Sequence, residues 1–151
     1  MQQKQILLDE ALMRFTHVTG VKTAITKAEK NLGDRVVDGL VTISKSGNRA
    51  RYIVEVRRGV TKTNVGSIAM TLKRQTKEPP PLLVADYIAP EQMETLRGLG
   101  IQCIDAQGNA FVDTGWLMVF IQGMKRPGIN VAQGVRADLF GWAGVKVTFA
   151  I

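Results

Sequence analysis

Residues 35–58 read RVVDGLVTISKSGNRARYIVEVRR and contain the clearest structural signal in the chain. β-Branched, aromatic and other apolar residues are frequent in 35–44 and 51–58, and the turn-forming Ser46-Gly47-Asn48 separates the two stretches. Such a pattern is typical of two antiparallel strands joined by a tight hairpin. We therefore expect these strands to be neighbours in a sheet.

Helices are predicted on both sides of this hairpin. Residues 6–19 carry apolar side chains at helical spacing, and Gly20 follows the last of them. Residues 21–27 predict an edge strand between this helix and the hairpin. After the hairpin, residues 65–72 again show helical spacing, and Thr63 is the predicted N-cap.

The second half of the chain predicts parallel strands. Three prolines at 79–81 end the second helix, and the wholly apolar residues 82–85 predict a strand in the centre of the sheet. A short helix opening at Pro90 and an apolar strand at 101–104 follow, with connections that suit a parallel crossover. Residues 110–112 and 116–121 predict a closing hairpin. The expected fold is an α/β domain with a mixed sheet.

Charge is distributed unevenly over the 151 residues, whose formal net charge is +7. Residues 1–80 hold 15 basic and 7 acidic side chains, whereas residues 81–151 hold 5 and 6. This asymmetry indicates a polyanionic partner or, equally, a solvated basic face. For the first case, DNA phosphates would be contacted by Arg49, Arg51, Arg57, Arg58, Lys73, Arg74 and Lys77.

Composition excludes several classes of protein. One Cys (Cys103) and one His (His17) allow neither an intramolecular disulfide nor a Cys/His zinc cage. The longest apolar run, residues 116–121, is far shorter than the ~20 residues that span a bilayer. We expect a cytosolic protein without a membrane partner, in which His17 faces solvent and Cys103 is an inert core thiol.

Three polar residues of the hairpin could carry chemistry. Glu55 and Arg57 are two apart on one strand and share a face, and Asp38 lies on the neighbouring strand. Asp38 and Glu55 could hold magnesium against a phosphate, with Arg57 stabilising the developing charge. The alternative is a structural ion pair between Glu55 and Arg57 or Arg58, which needs no cofactor.

This arrangement resembles the PD-(D/E)xK restriction-endonuclease-like superfamily, whose core runs helix, β-hairpin, strand, helix, strand. The resemblance implies that Asp38, Glu55 and Arg57 occupy the catalytic positions. Arg57 stands where that family has lysine, and a guanidinium stays protonated, so it can hold a phosphate oxygen but cannot act as a base. The implied site therefore departs from a working nuclease site.

A second resemblance covers most of the chain. Residues 82–88 (LLVADYI), 96–101 (LRGLGI) and 104–111 (IDAQGNAF) are similar to the AbiEi family of type IV toxin–antitoxin antitoxins. The resemblance implies a transcriptional regulator whose DNA partner includes the operator of a toxin operon. It also implies that residues 1–123 form a degenerate nuclease-like domain and that 124–151 form a linker and the start of a C-terminal winged-helix domain. The first domain would contact DNA or form a homodimer. Independently of the resemblance, residues 105–110 predict a tight turn around Gly108 and Asn109.

Overall fold

The structure is a computed structural model and describes residues 2–31, 36–74, 79–124 and 145–149. The elements in chain order are α1 (Gln2–Thr19), β1 (Lys22–Asn31), β2 (Val36–Lys45), β3 (Asn48–Val56), α2 (Val65–Lys73), β4 (Pro81–Ala85), α3 (Pro90–Gly98), β5 (Gln102–Asp105), β6 (Ala110–Asp113), β7 (Leu117–Ile121) and β8 (Val145–Phe149).

The eight strands form one mixed sheet in which spatial order follows chain order. β1, β2 and β3 form an antiparallel meander, β3, β4 and β5 are parallel, and β5 to β8 are antiparallel. Helices α2 and α3 are the crossovers that parallel neighbours require. The predicted α/β class and mixed sheet are confirmed.

The predicted hairpin is the β2–β3 pair. Lys45 pairs with Asn48, and the two residues between them, Ser46 and Gly47, have φ of 51° and 85°. Two consecutive positive φ values characterise the turn whose twist matches a hairpin. β3 begins three residues earlier than the sequence pattern indicates, so Arg49 lies within the strand.

The sheet separates two apolar cores, and β4 contributes to both. Leu82 and Val84 are buried in the larger core together with α1, whereas Leu83 and Ala85 are buried with α2 and α3. Alternate residues of a strand point to opposite faces, so a strand covered on both faces must be apolar throughout. The prediction of a central strand at 82–85 is confirmed.

Each end of the sheet bears on one further prediction. β1 is the edge strand expected near residues 21–27 and continues to Asn31. At the other end, β8 pairs with β7 and belongs to the same sheet. The predicted linker falls mainly on residues 125–144, which lie outside the described residues, and the division at residue 123 stays a prediction.

The predicted N-cap of α2 is wrong. Asn64, not Thr63, occupies that position, and its side chain makes no capping bond to the helix. Instead, its Nδ2 donates to the Gly59 carbonyl at 2.8 Å and its Oδ1 accepts from the Thr61 N–H at 2.7 Å. The amide is turned back to hold the preceding loop, so the helix begins one residue later.

Two glycines offer a matched test of this backbone. Gly108 has φ +103°, and an added Cβ would lie 3.3 Å from Arg14 Cγ, whereas Gly66 lies in α2 with open space around it. We expect Gly108→Ala to lower the free energy of unfolding by about 1–3 kcal/mol because of backbone strain. Gly66→Ala should raise it by up to about 1 kcal/mol because alanine favours helix. Urea unfolding measures both, and a neutral Gly108→Ala would contradict the turn geometry.

Candidate functional site

Asp38 lies near the start of β2, where its carboxylate bridges two other elements. Its Oδ2 accepts the Val56 N–H of β3 at 2.8 Å, and its Oδ1 lies 3.3 Å from Lys4 Nζ of α1. The side chain is only 13% exposed, whereas that of Lys4 is 55% exposed. Asp38 thus satisfies a backbone donor at the end of β3 and neutralises a lysine that the sequence pattern did not associate with it.

Glu55 lies on β3, one residue before the amide that Asp38 accepts. Its Oε2 is 3.7 Å from Arg57 Nε, and its side chain is 17% exposed. Residues two apart on a strand share a face, so this pairing follows from the strand geometry. The structure therefore contains the Glu55–Arg57 ion pair that was the alternative to a metal site.

The donor set at this position does not fit a divalent cation. Magnesium prefers several oxygen ligands, and two of the four carboxylate oxygens here face Lys4 and Arg57. A third oxygen, Asp38 Oδ2, already accepts a backbone N–H. Within the described ranges, no group of three or more His, Cys, Asp or Glu side chains is placed to hold a metal ion. Lys4 and Arg57 therefore supply positive charge beside these carboxylates.

The predicted DNA-contacting residues are spread over the molecule. Arg49 and Arg51 are exposed in the first half of β3, and Arg57 and Arg58 are exposed just after its end. Eight residues of extended strand separate Arg49 from Arg57, or about 26 Å. Lys73 is the last residue of α2 and Arg74 is its C-cap; Lys77 lies outside the described residues.

The path of α2 shows which of these groups lie together. Because β3 and β4 are parallel, α2 carries the chain from the carboxyl end of β3 back to the start of β4. Lys73 and Arg74 therefore lie toward the amino end of the parallel strands, the end that holds Arg49 and Arg51. Arg57 and Arg58 lie at the other end, beside Glu55.

A buried carboxylate organises the carboxyl ends of β4 and β5. Asp105 is 1% exposed and accepts four N–H donors at 2.7–2.9 Å, from Ile88, Gln107 and the backbone and side chain of Asn109. Burial raises the pKa of Asp105 to about 6, although these hydrogen bonds lower it. All these contacts are internal, so the predicted turn is confirmed as a structural feature.

Asn109 extends this network beyond its own turn. Its side chain donates to the Met124 carbonyl at 3.2 Å and accepts the Met124 N–H at 2.8 Å. The sequence pattern predicts the turn but not this contact, because Met124 lies 15 residues further along the chain. His17 is exposed, as expected. Cys103 is fully buried, and burial raises the pKa of its thiol, which confirms an inert core cysteine.

Comparison with protein-family models, with curated proteins and with solved structures found no match for this chain. In the part of the chain that the structure describes, no helix is long and apolar enough to cross a membrane.

The Asp38 contacts predict that removing Asp38 and removing Lys4 will have unequal effects on the free energy of unfolding. Asp38→Ala leaves the Val56 N–H without its acceptor, and we expect the free energy of unfolding to fall by about 1–3 kcal/mol. Lys4→Ala removes only a largely exposed ion pair and should cost less than about 1 kcal/mol. Urea unfolding of both variants tests this difference. Equal losses would show that the ion pair, and not the backbone bond, is the stabilising contact.

The Asp105 pKa predicts an unusual pH dependence of stability. Because its pKa rises from 3.8 in the unfolded chain to about 6 on folding, the folded state binds more protons between these values. This contribution to stability is complete below the lower value and is lost as the pH rises through the upper one. Relative to Asp105→Asn, the wild type should gain about 1.4 kcal/mol between pH ~7.5 and pH ~5. Urea unfolding at both pH values measures this gain, and a pH-independent difference between the two proteins would contradict it.

Proposed function

We propose that this chain is the amino-terminal domain of a cytoplasmic DNA-binding regulator of the AbiEi antitoxin type, built on a nuclease-like fold without nuclease activity. The observation that supports the absence of nuclease activity is that both candidate metal ligands form ion pairs with cationic side chains. Lys4 faces Asp38, and Arg57 faces Glu55. These pairs neutralise the carboxylates without a metal.

The order of elements supports the nuclease-like part of the proposal. A helix precedes three antiparallel strands, and a crossover helix then leads to a strand parallel to the third. This element order agrees with the core that the resemblance to restriction endonucleases implies, and so supports the proposal. Asp38 and Glu55 lie on the two strands that the same resemblance assigns to the catalytic carboxylates.

The regulatory part of the proposal rests on the antitoxin resemblance and on charge. The matching stretches form β4 and the segment from the end of α3 to β6, which includes the Asp105 turn. Exposed arginines on β3 supply groups that can contact DNA phosphates. The proposed partner is duplex DNA, including the operator of the toxin operon.

Metal binding and DNA cleavage test the proposal against a magnesium-dependent nuclease. We expect titration calorimetry to detect no site-specific binding of magnesium or manganese to the wild type, and plasmid DNA to remain uncut. Glu55→Ala should behave like the wild type in both assays, because Glu55 is assigned an ion pair.

Glu94→Ala is the matched control, because it breaks the exposed Glu94–Arg97 pair on α3. Cleavage and metal binding that Glu55→Ala removes and Glu94→Ala preserves would establish the nuclease instead.

The regulatory role predicts separately that the native protein represses a reporter gene under its own upstream promoter. Unchanged reporter expression would contradict it.

A further inference from the structure

In the described part of the chain, one face of the β1–β3 meander lies outside the core that covers the same face of β4, β5 and β6. The second core, which α2 and α3 form, includes no described residue of β1, β2 or β3. On this face Ala24 is exposed, and Thr42 and Ser44 of the middle strand are partly exposed. We call this surface the open face; it comprises Lys22, Ala24, Thr42, Ser44, Arg49 and Arg51.

Strand register gathers three cations on the open face. Lys22 pairs with Ser44, which in turn pairs with Arg49, so these residues form one row across three strands. The next row is formed by Ala24, Thr42 and Arg51. Paired residues of adjacent strands project to the same side. All three cationic side chains are exposed, and none has an ion-pair partner among the described residues.

The described carboxylates of β2 and β3 lie away from these two rows. Asp38 lies near the start of β2 and Glu55 near the end of β3, at the ends of these strands that are far from the two rows. There Asp38 contacts Lys4 and Glu55 contacts Arg57. Among the described carboxylates, Asp113 lines the same cleft as the two arginines. That cleft has a volume of about 830 Å³ and is bounded by Arg49, Arg51, Pro79 and Pro80. Its two arginines outnumber its one carboxylate.

The spacing and chemistry of the rows suit phosphates. Arg49 and Arg51 lie about 6.6 Å apart along the strand, which is close to the separation of successive phosphates on one nucleic-acid strand. A guanidinium can bind a phosphate through two parallel hydrogen bonds. On the neighbouring strand β2, Ser44 pairs with Arg49 and Thr42 pairs with Arg51, and their hydroxyls add neutral donors of the kind that contact phosphate and sugar oxygens.

The open face has no aromatic side chain among its described residues. Tyr52 also lines the cleft beside Arg49 and Arg51, but it is 1% exposed and packs in the opposite core, so its ring is not open for stacking. Proteins that hold single-stranded nucleic acid rely on aromatic rings that stack on bases. The surface therefore favours the backbone of a duplex over unstacked bases.

We propose that the open face is a duplex-DNA docking surface on which Lys22, Arg49 and Arg51 bind phosphates without reading base sequence. This inference rests on the proposed function and specifies which of the predicted basic residues act. It adds Lys22, which only the strand register reveals. It assigns no phosphate contact to Arg57, which pairs with Glu55, or to Arg58.

Salt-dependent binding of the native protein to a short duplex of random sequence tests the inference. Each phosphate contact contributes about 0.9 to the slope of log affinity against log salt concentration. We expect the double variant Arg49→Ala/Arg51→Ala to reduce that slope by about 2 and to weaken binding at low salt at least tenfold. Arg49→Lys/Arg51→Lys should retain most of the slope because it keeps both charges.

The matched control is Arg14→Ala/Lys62→Ala, which removes two exposed cations outside the open face. An unchanged slope for this control, with a reduced slope for the Arg49/Arg51 pair, supports the assignment. Equal reductions by both pairs would overturn it, since net charge alone would then explain binding. An unchanged slope for the Arg49/Arg51 pair would also overturn it while leaving DNA binding intact. A wild type that binds no DNA would refute both the assignment and the proposed function.

Discussion

Strand β4 is buried on both faces, and the arrangement of the whole molecule depends on that burial. Leu82 and Val84 pack toward α1 while Leu83 and Ala85 pack toward α2 and α3. A strand of five residues can contribute to two cores only if helices cover both sides of it, and its parallel neighbours require crossover helices. Helices therefore concentrate over the middle of the sheet. Among the described residues, the long meander of β1, β2 and β3 extends beyond that cover, and its open face, as defined above, is largely exposed.

This geometry gives the two ends of β3 different environments. At its carboxyl end, Glu55 and the incoming Asp38 carboxylate are partly buried, so each needs a nearby cation or N–H donor. Arg57, Lys4 and the Val56 amide supply these partners. At its amino end, Arg49 and Arg51 stand in solvent and keep their charge available. One strand thus carries an internally neutralised site and an exposed cationic surface.

Much of the architecture could be predicted because local signals agreed with one another. The Ser46-Gly47 turn, the prolines before β4 and the helical spacing of 65–72 each indicate the element that is observed. The N-cap prediction was wrong by one residue, because the first helical residue is Val65 and the residue before it is Asn64. The Asn64 side chain bonds to the preceding loop and not to the helix, so it gives no capping signal of the expected kind.

The candidate site divides in the same way between local and long-range information. Residue spacing along β3 is enough to place Glu55 beside Arg57, because both the strand period and the pairing of opposite charges are local properties. The partnership of Asp38 with Lys4, the bond from Asn109 to Met124, and the alignment of Lys22 with Arg49 required the folded chain. Each joins residues from separate elements, and their proximity depends on how helix α1 and the strands pack. Local chemistry therefore specified the elements, whereas long-range packing and strand register specified which charges face one another.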